Sequence, residues 1–199
     1  MTHLYRLVLG TLAALSVASS VFATPVPVVS IKPAAPRIVG DEALTLTVEI
    51  SGAVDLFAFQ FDVAFDPSLL LATGPSSEGP FLATGGTTAF LAGIEDNTTG
   101  TILNTANVLF GPIAGVNGNG VLAFLTFMGA HVAVRDLAAV SLFNVQLLDS
   151  NLSEIPFALQ NAAVTVDPVP EPATLVLLGS GLAAVWRRRV VQRSAARRS

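Results

Sequence analysis

The side chains that could perform chemistry are few, and their types and spacing narrow what they could do. The 199-residue chain has no cysteine, which removes thiol nucleophiles, disulfides and zinc–thiolate centres together. Between residues 24 and 168 there is one histidine, His131, in "MGAHVAVRD" just past an expected strand. No Gly-x-Ser-x-Gly or comparable nucleophile context accompanies it, so this imidazole reads as a surface or core-edge group rather than a general base. Carboxylates dominate: of 14 Asp and Glu, Glu171 lies beyond residue 168, which leaves 13 in this region. Asp62 and Asp66 would share one face of a continuous strand at about 13 Å, whereas glycoside hydrolysis needs carboxyls about 5 to 9.5 Å apart. Asp66 also precedes Pro67, which suits a turn. Turn-borne acids could instead offer hard oxygens to a cation, and Asp41, Asp66 and Asp96 are the weak calcium candidates, none in EF-hand spacing. No phosphate-loop or dinucleotide fingerprint is present. The expectation is a protein without catalytic chemistry, with calcium the one cofactor left open.

Charge is divided unevenly along the chain. Of 10 Lys and Arg, Arg6 lies near the start and Arg187, Arg188, Arg189, Arg193, Arg197 and Arg198 near the end, leaving Lys32, Arg37 and Arg135. Residues 24–168 therefore carry 3 minus 13, a net charge of −10. A body this acidic repels polyanions, which argues against a nucleic-acid partner.

Both ends read as appendages. Residues 1–23 have a weakly basic start, an apolar run from Leu7, and the small-x-small pair Val21 and Ala23. This predicts a signal peptide cut after Ala23, with Pro25 and Pro27 following at once. Residues 169–199 hold Pro170, Glu171 and Pro172, then the apolar segment 173–186, then Arg187, Arg188 and Arg189. As a helix that segment rises about 21 Å against a hydrocarbon core of about 30 Å, so it is a short transmembrane helix at best. The arginine cluster stops it at the cytoplasmic face, which leaves the acidic body outside.

The body, 24–168, alternates at the period of strands. In "LTLTVEI" Leu44, Leu46, Val48 and Ile50 share one face; in "LFAFQFDVAF" Phe57, Phe59, Phe61, Val63 and Phe65 point inward and Ala58, Gln60, Asp62 and Ala64 outward. Further strands are expected at 26–31, 69–72, 88–92, 101–108, 121–128, 140–148 and 163–166. Segments such as "TGPSSEGP", "GIEDNTTG" and "GPIAGVNGNG" separate them as turns. "GVLAFLTFMG", apolar on both faces, should be a central strand. About nine short strands with no helical period predict an all-β antiparallel β-sandwich of the jelly-roll kind.

The order of these phrases resembles the cohesin domain of bacteria. A "VGD" turn (Val39, Gly40, Asp41) precedes a strand, and Asp55, Leu56, Ala58, Gln60, Phe61, Phe65, Asp66, Pro67 and Leu69 follow the family's phrase around its next strand. "NGNGVLAFLTF" and "VSLFNVQLLDSNLSEIP" follow in the family's order, so the likeness covers about residues 26–166. Cohesins bind dockerins through one exposed sheet face, a shallow apolar patch ringed by polar residues. The resemblance therefore implies a non-enzymatic protein–protein module with Ala58, Gln60, Asp62 and Ala64 as its candidate binding face and a dockerin-bearing protein as partner. The alternative is carbohydrate binding to matrix exopolysaccharide, since related sandwiches bind cellulose. Such sites stack sugars on Trp or Tyr, and Tyr5 and Trp186 both lie outside the body. The C-terminal end resembles the PEP-CTERM sorting signal, with Pro170, Glu171 and Pro172 as its motif. That resemblance implies cutting by an exosortase, transient residence in the membrane through 173–186, and export to the cell envelope, surface or extracellular matrix of a Gram-negative bacterium.

Overall fold

The computed structural model describes residues 26–169 together with Leu177, Ser180, Gly181 and Trp186. The expected cut after Ala23, the Pro170–Pro172 motif, the rest of 173–186 and Arg187–Arg189 lie outside the described residues.

The body is a sandwich of two sheets. In chain order its strands are β1 (Val28–Pro33), β2 (Arg37–Val39), β3 (Ala43–Leu56), β4 (Ala58–Phe65), β5 (Leu70–Glu78), β6 (Thr88–Leu91), β7 (Ile94–Asp96), β8 (Thr101–Leu109), β9 (Val116–Gly129), β10 (Asp136–Leu148), β11 (Ala158–Gln160) and β12 (Ala162–Asp167). A one-turn helix, α1 (Pro80–Ala83), joins β5 to β6. One sheet runs β11-β1-β3-β9-β5; the other runs β2-β12-β10-β4-β8-β6, with β7 also on β8.

All nine expected strands are present, and the structure adds β2, β7 and β11, each of three residues. Three residues are too short to show a period. The pairing is not wholly antiparallel: β11 lies parallel to β1, and β2 parallel to β12. Both exceptions are edge strands laid down by crossing connections. Two segments read as turns are strand. β5 continues through "TGPSSE" because β9 supplies its hydrogen bonds, with register shifts around Gly74. β9 begins at Val116 because β3 runs on to Leu56 beside it, with Ala53 opposite Gly118.

Alternation sets the core. Leu44, Leu46, Val48 and Ile50 of β3 and Phe59, Phe61, Val63 and Phe65 of β4 are all buried, as their spacing predicts. Phe57, at the break between these strands, is half-buried and packs against the core. β9 is central, between β3 and β5. The sheets meet through pairs such as Phe65 and Phe127, whose rings stand edge to face at 5.1 Å and 76°, the arrangement aromatic quadrupoles favour.

Candidate binding face

The strand registers fix which side chains share the outer face of the β10-β4-β8-β6 sheet. One row across it is Leu148, Ala58, Val108 and Ala89; the next is Gln146, Gln60, Ala106 and Leu91. Ala58 and Gln60 thus lie on β4, between β10 and β8, both half-buried, Ala58 in the aliphatic row and Gln60 in the row that borders it. Leu91 at the β6 edge is 58% exposed, and Ile94, opposite Leu103, is 70% exposed. Ala64 sits in a more polar row with Ser141, Thr101 and Asp96. A shallow depression of about 270 Å³ covers the apolar row. A wider groove of about 540 Å³ continues past Gln60 to Gln146, Glu154 and Phe157. The surface is small and aliphatic along one row and amide- or carboxylate-bearing beside it, a juxtaposition of apolar and polar contact found in protein interfaces.

Asp62 is a correction to the expected face. Strand alternation turns it outward, yet only 5% of it is exposed. The reason lies in its two neighbours. β10 and β8 each carry an extra residue at this level, between Phe143 and Gln146 and opposite Phe61 to Val63. Asn144 and Asn104 there take positive φ, 48° and 64°, a conformation asparagine tolerates. Asp62 Oδ1 accepts the Asn104 N–H at 2.6 Å, and Oδ2 accepts Asn144 Nδ2 at 2.8 Å. Its carboxylate therefore ties two bulges together beneath the face rather than forming part of the surface.

The acids considered for calcium are occupied locally. Asp66 accepts from the Ser68 hydroxyl at 2.6 Å and the Ser68 N–H at 2.8 Å. Those bonds, the hydroxyl's first, hold its carboxyl below its ordinary value. Asp96 accepts the Thr98 N–H at 2.7 Å and the Thr99 hydroxyl at 2.9 Å, and the backbone bond leads in lowering its pKa. Asp41, at φ 66°, faces exposed His131, whose Nδ1 lies 3.1 Å from its Oδ2. Among the described residues no group of three or more His, Asp and Glu is arranged to hold a metal ion.

Three polar arrangements escaped sequence reasoning. Asp55 staples one end of the sandwich: it accepts the Ser150 hydroxyl at 2.7 Å and the Gly115 N–H at 2.6 Å, and the Ser150 bond leads in lowering its pKa. At the other end Asp167, 13% exposed at its side chain, receives Arg37 Nε at 2.9 Å and also Arg135 Nε. Between the sheets, Ser76 and Thr105 are buried with their hydroxyls 3.3 Å apart, and Asn107 donates to Glu78 at 2.8 Å. The one usable signal was the scarcity of cations: with three in the body, each was apt to be committed to a carboxylate.

Residues 168–189 match the PEP-CTERM protein-sorting motif. No curated protein sequence matches the chain. Among solved structures the body is similar to a type II cohesin of Acetivibrio cellulolyticus in a complex with an X-dockerin, at 12% identity and a TM-score of 0.60, covering 71% of this chain and 99% of that one. A non-cellulosomal cohesin of Archaeoglobus fulgidus matches at 15% identity and 0.54, covering 71% and 91%. The second type II cohesin module of an adaptor scaffoldin of Acetivibrio cellulolyticus matches at 13% and 0.60, covering 75% and 94%. The chain therefore has a cohesin-like fold and carries a PEP-CTERM sorting motif at its C-terminal end.

Proposed function

We propose that this chain is a non-enzymatic docking protein, exported to the surface or matrix of a Gram-negative bacterium. An exosortase acting at Pro170–Pro172 releases or reattaches its body. The observation that carries the docking role is the aliphatic row Leu148, Ala58, Val108 and Ala89 on a sheet face left uncovered by the described residues, bordered by Gln60, Gln146 and Glu154. Two solved neighbours of the same fold are complexes with dockerins, which supports a protein partner for this chain. Small side chains leave the face flat enough for another surface to approach closely, and the border amides fix its register.

The test is capture of dockerin-bearing proteins from the host by the mature body, repeated with Ala58→Arg and Ala106→Arg together. Placing a guanidinium in each of the two rows should weaken a partner about 10-fold or more, while Thr47→Arg on the opposite sheet leaves it unchanged. Capture of no dockerin-bearing protein, or capture indifferent to the Ala58 and Ala106 changes, would remove the reading. Retarded migration of the body in gels loaded with host exopolysaccharide would favour a glycan instead.

A further inference from the structure

We infer that the end of the sandwich from which the tail leaves is a lipid-facing surface, with Val134 and Leu137 resting in the headgroup layer until the tail is cut. This rests on the reading that segment 173–186 lodges in the membrane.

The body is fixed right up to its exit. β12 pairs with β10 on one side and β2 on the other, through Asp167 opposite Val39. The Gly40 N–H bonds the Asp167 carbonyl at 3.0 Å, and Arg37 and Arg135 hold the Asp167 carboxylate. Val169 lies over Gly40, where a methyl group built on the glycine would stand 3.1 Å from Val169 Cγ2. Only Pro170, Glu171 and Pro172 then separate the body from the apolar segment, so the four steps from Val169 to residue 173 reach about 14 Å at full extension. Fourteen residues would rise about 21 Å as a helix, so segment and tether together would reach at most about 35 Å, against about 30 Å of hydrocarbon. With Arg187–Arg189 held at the inner interface, Val169 stands no more than about 5 Å beyond the outer boundary of the hydrocarbon. That distance lies within the headgroup layer, so the body cannot stand clear of the membrane.

What that end presents suits such a position. Val134 is 75% and Leu137 61% exposed. Leu137 pairs with Thr165, next to the exit, and Val134 directly precedes Arg135 of the clamp. The charged groups of this end, Asp41, Glu42, Asp136 and Asp167 against Arg37 and Arg135, leave 4 minus 2, two net negative charges. Asp41 faces His131, Glu42 Oε2 accepts the Val39 N–H at 2.8 Å, and Asp136 accepts the Leu137 N–H at 2.7 Å. Contact therefore draws on burial of the two aliphatic side chains and not on attraction to anionic lipid.

Because the chain has no cysteine, single labels are unambiguous. The full chain carrying Val134→Cys or Leu137→Cys, and controls Val54→Cys or Leu152→Cys from the opposite end, would be labelled with a polarity-sensitive fluorophore. Each would be reconstituted in phosphatidylethanolamine vesicles with and without phosphatidylglycerol, containing headgroup-labelled quencher lipid. Labels at 134 and 137 should be quenched about twofold or more beyond those at 54 and 152, alike in both lipid mixtures. Equal quenching at all four positions in chain that floats with the vesicles overturns the inference and leaves the anchoring reading intact. Chain that fails to float removes the anchoring reading itself. Protection of 134 and 137 only when exosortase-containing host membranes are supplied would make the occupant a protein, which also overturns it.

Discussion

Replacing Asp62 by alanine would leave the Asn104 N–H without its carboxylate acceptor and release the Asn144 amide, the two groups that hold the bulges of β8 and β10. The expected cost is about 2 to 3 kcal/mol, read as a lower urea midpoint at unchanged slope. The same substitution at Asp66 or Asp96 breaks only local turn bonds and should cost less. Their contribution appears instead in acid. Asp55, Asp66 and Asp96 each have a folded pKa below the ordinary value, held down chiefly by the Ser150 hydroxyl, the Ser68 hydroxyl and the Thr98 N–H respectively. A depressed folded value adds stability above the unfolded carboxylate pKa of about 4, and that stability drains away as pH falls through the lowered values. Thermal unfolding should therefore shift to lower temperature as pH drops below about 4. Asp55→Asn, Asp66→Asn and Asp96→Asn combined should shrink that acid-induced drop. Residue types revealed that these acids are numerous and that some lie in turns. They did not reveal which oxygen meets which donor, because the partners of Asp62 and Asp55 stand 82 and 95 positions away.

Among the elements, the turn between β7 and β8 shows how a glycine legible as punctuation gains a tertiary role. Gly100 has φ 71°, and a Cβ built on it would lie 2.1 Å from the Phe65 carbonyl oxygen. Its own carbonyl accepts the Phe65 N–H at 2.8 Å. Gly100→Ala should cost about 3 kcal/mol or more, since it combines left-handed backbone strain with a backbone collision. Gly111→Ala, at φ 96° with nothing within 4 Å, should cost only the strain, about 1 to 2 kcal/mol. Paired urea titrations of the two variants check the difference. The long strands were readable because their apolar side chains recur at every second position through the core, Leu44 to Ile50 in β3 and Phe59 to Phe65 in β4. Local preference alone ends β5 early, because Gly74, Pro75 and Ser76 are turn formers; its partner β9 overrides them with hydrogen bonds the local sequence cannot signal. The polar seam of Ser76, Thr105 and Asn107 was hidden for the opposite reason: hydroxyls and amides at inward positions look like solvent-side residues until the facing sheet supplies their partners.

For the whole molecule the sharpest prediction is a mass. Protein recovered from its host should begin after Ala23 and end near Pro170; a product ending at Ser199 would remove the sorting reading, and one retaining residues 1–23 would remove the signal peptide. The acidic body, its strand periods and the composition of its two ends are properties of short stretches of chain, and the sequence by itself determined them. Side-chain period reports one element at a time, and net charge needs no geometry at all. Which strands lie side by side, that Asp62 is covered rather than presented, and that Arg37 and Arg135 converge on Asp167 at the tail's exit were decided only by the tertiary structure. Each depends on groups far apart in the chain, whose meeting is fixed by sheet order and by one-residue bulges that local preference leaves free.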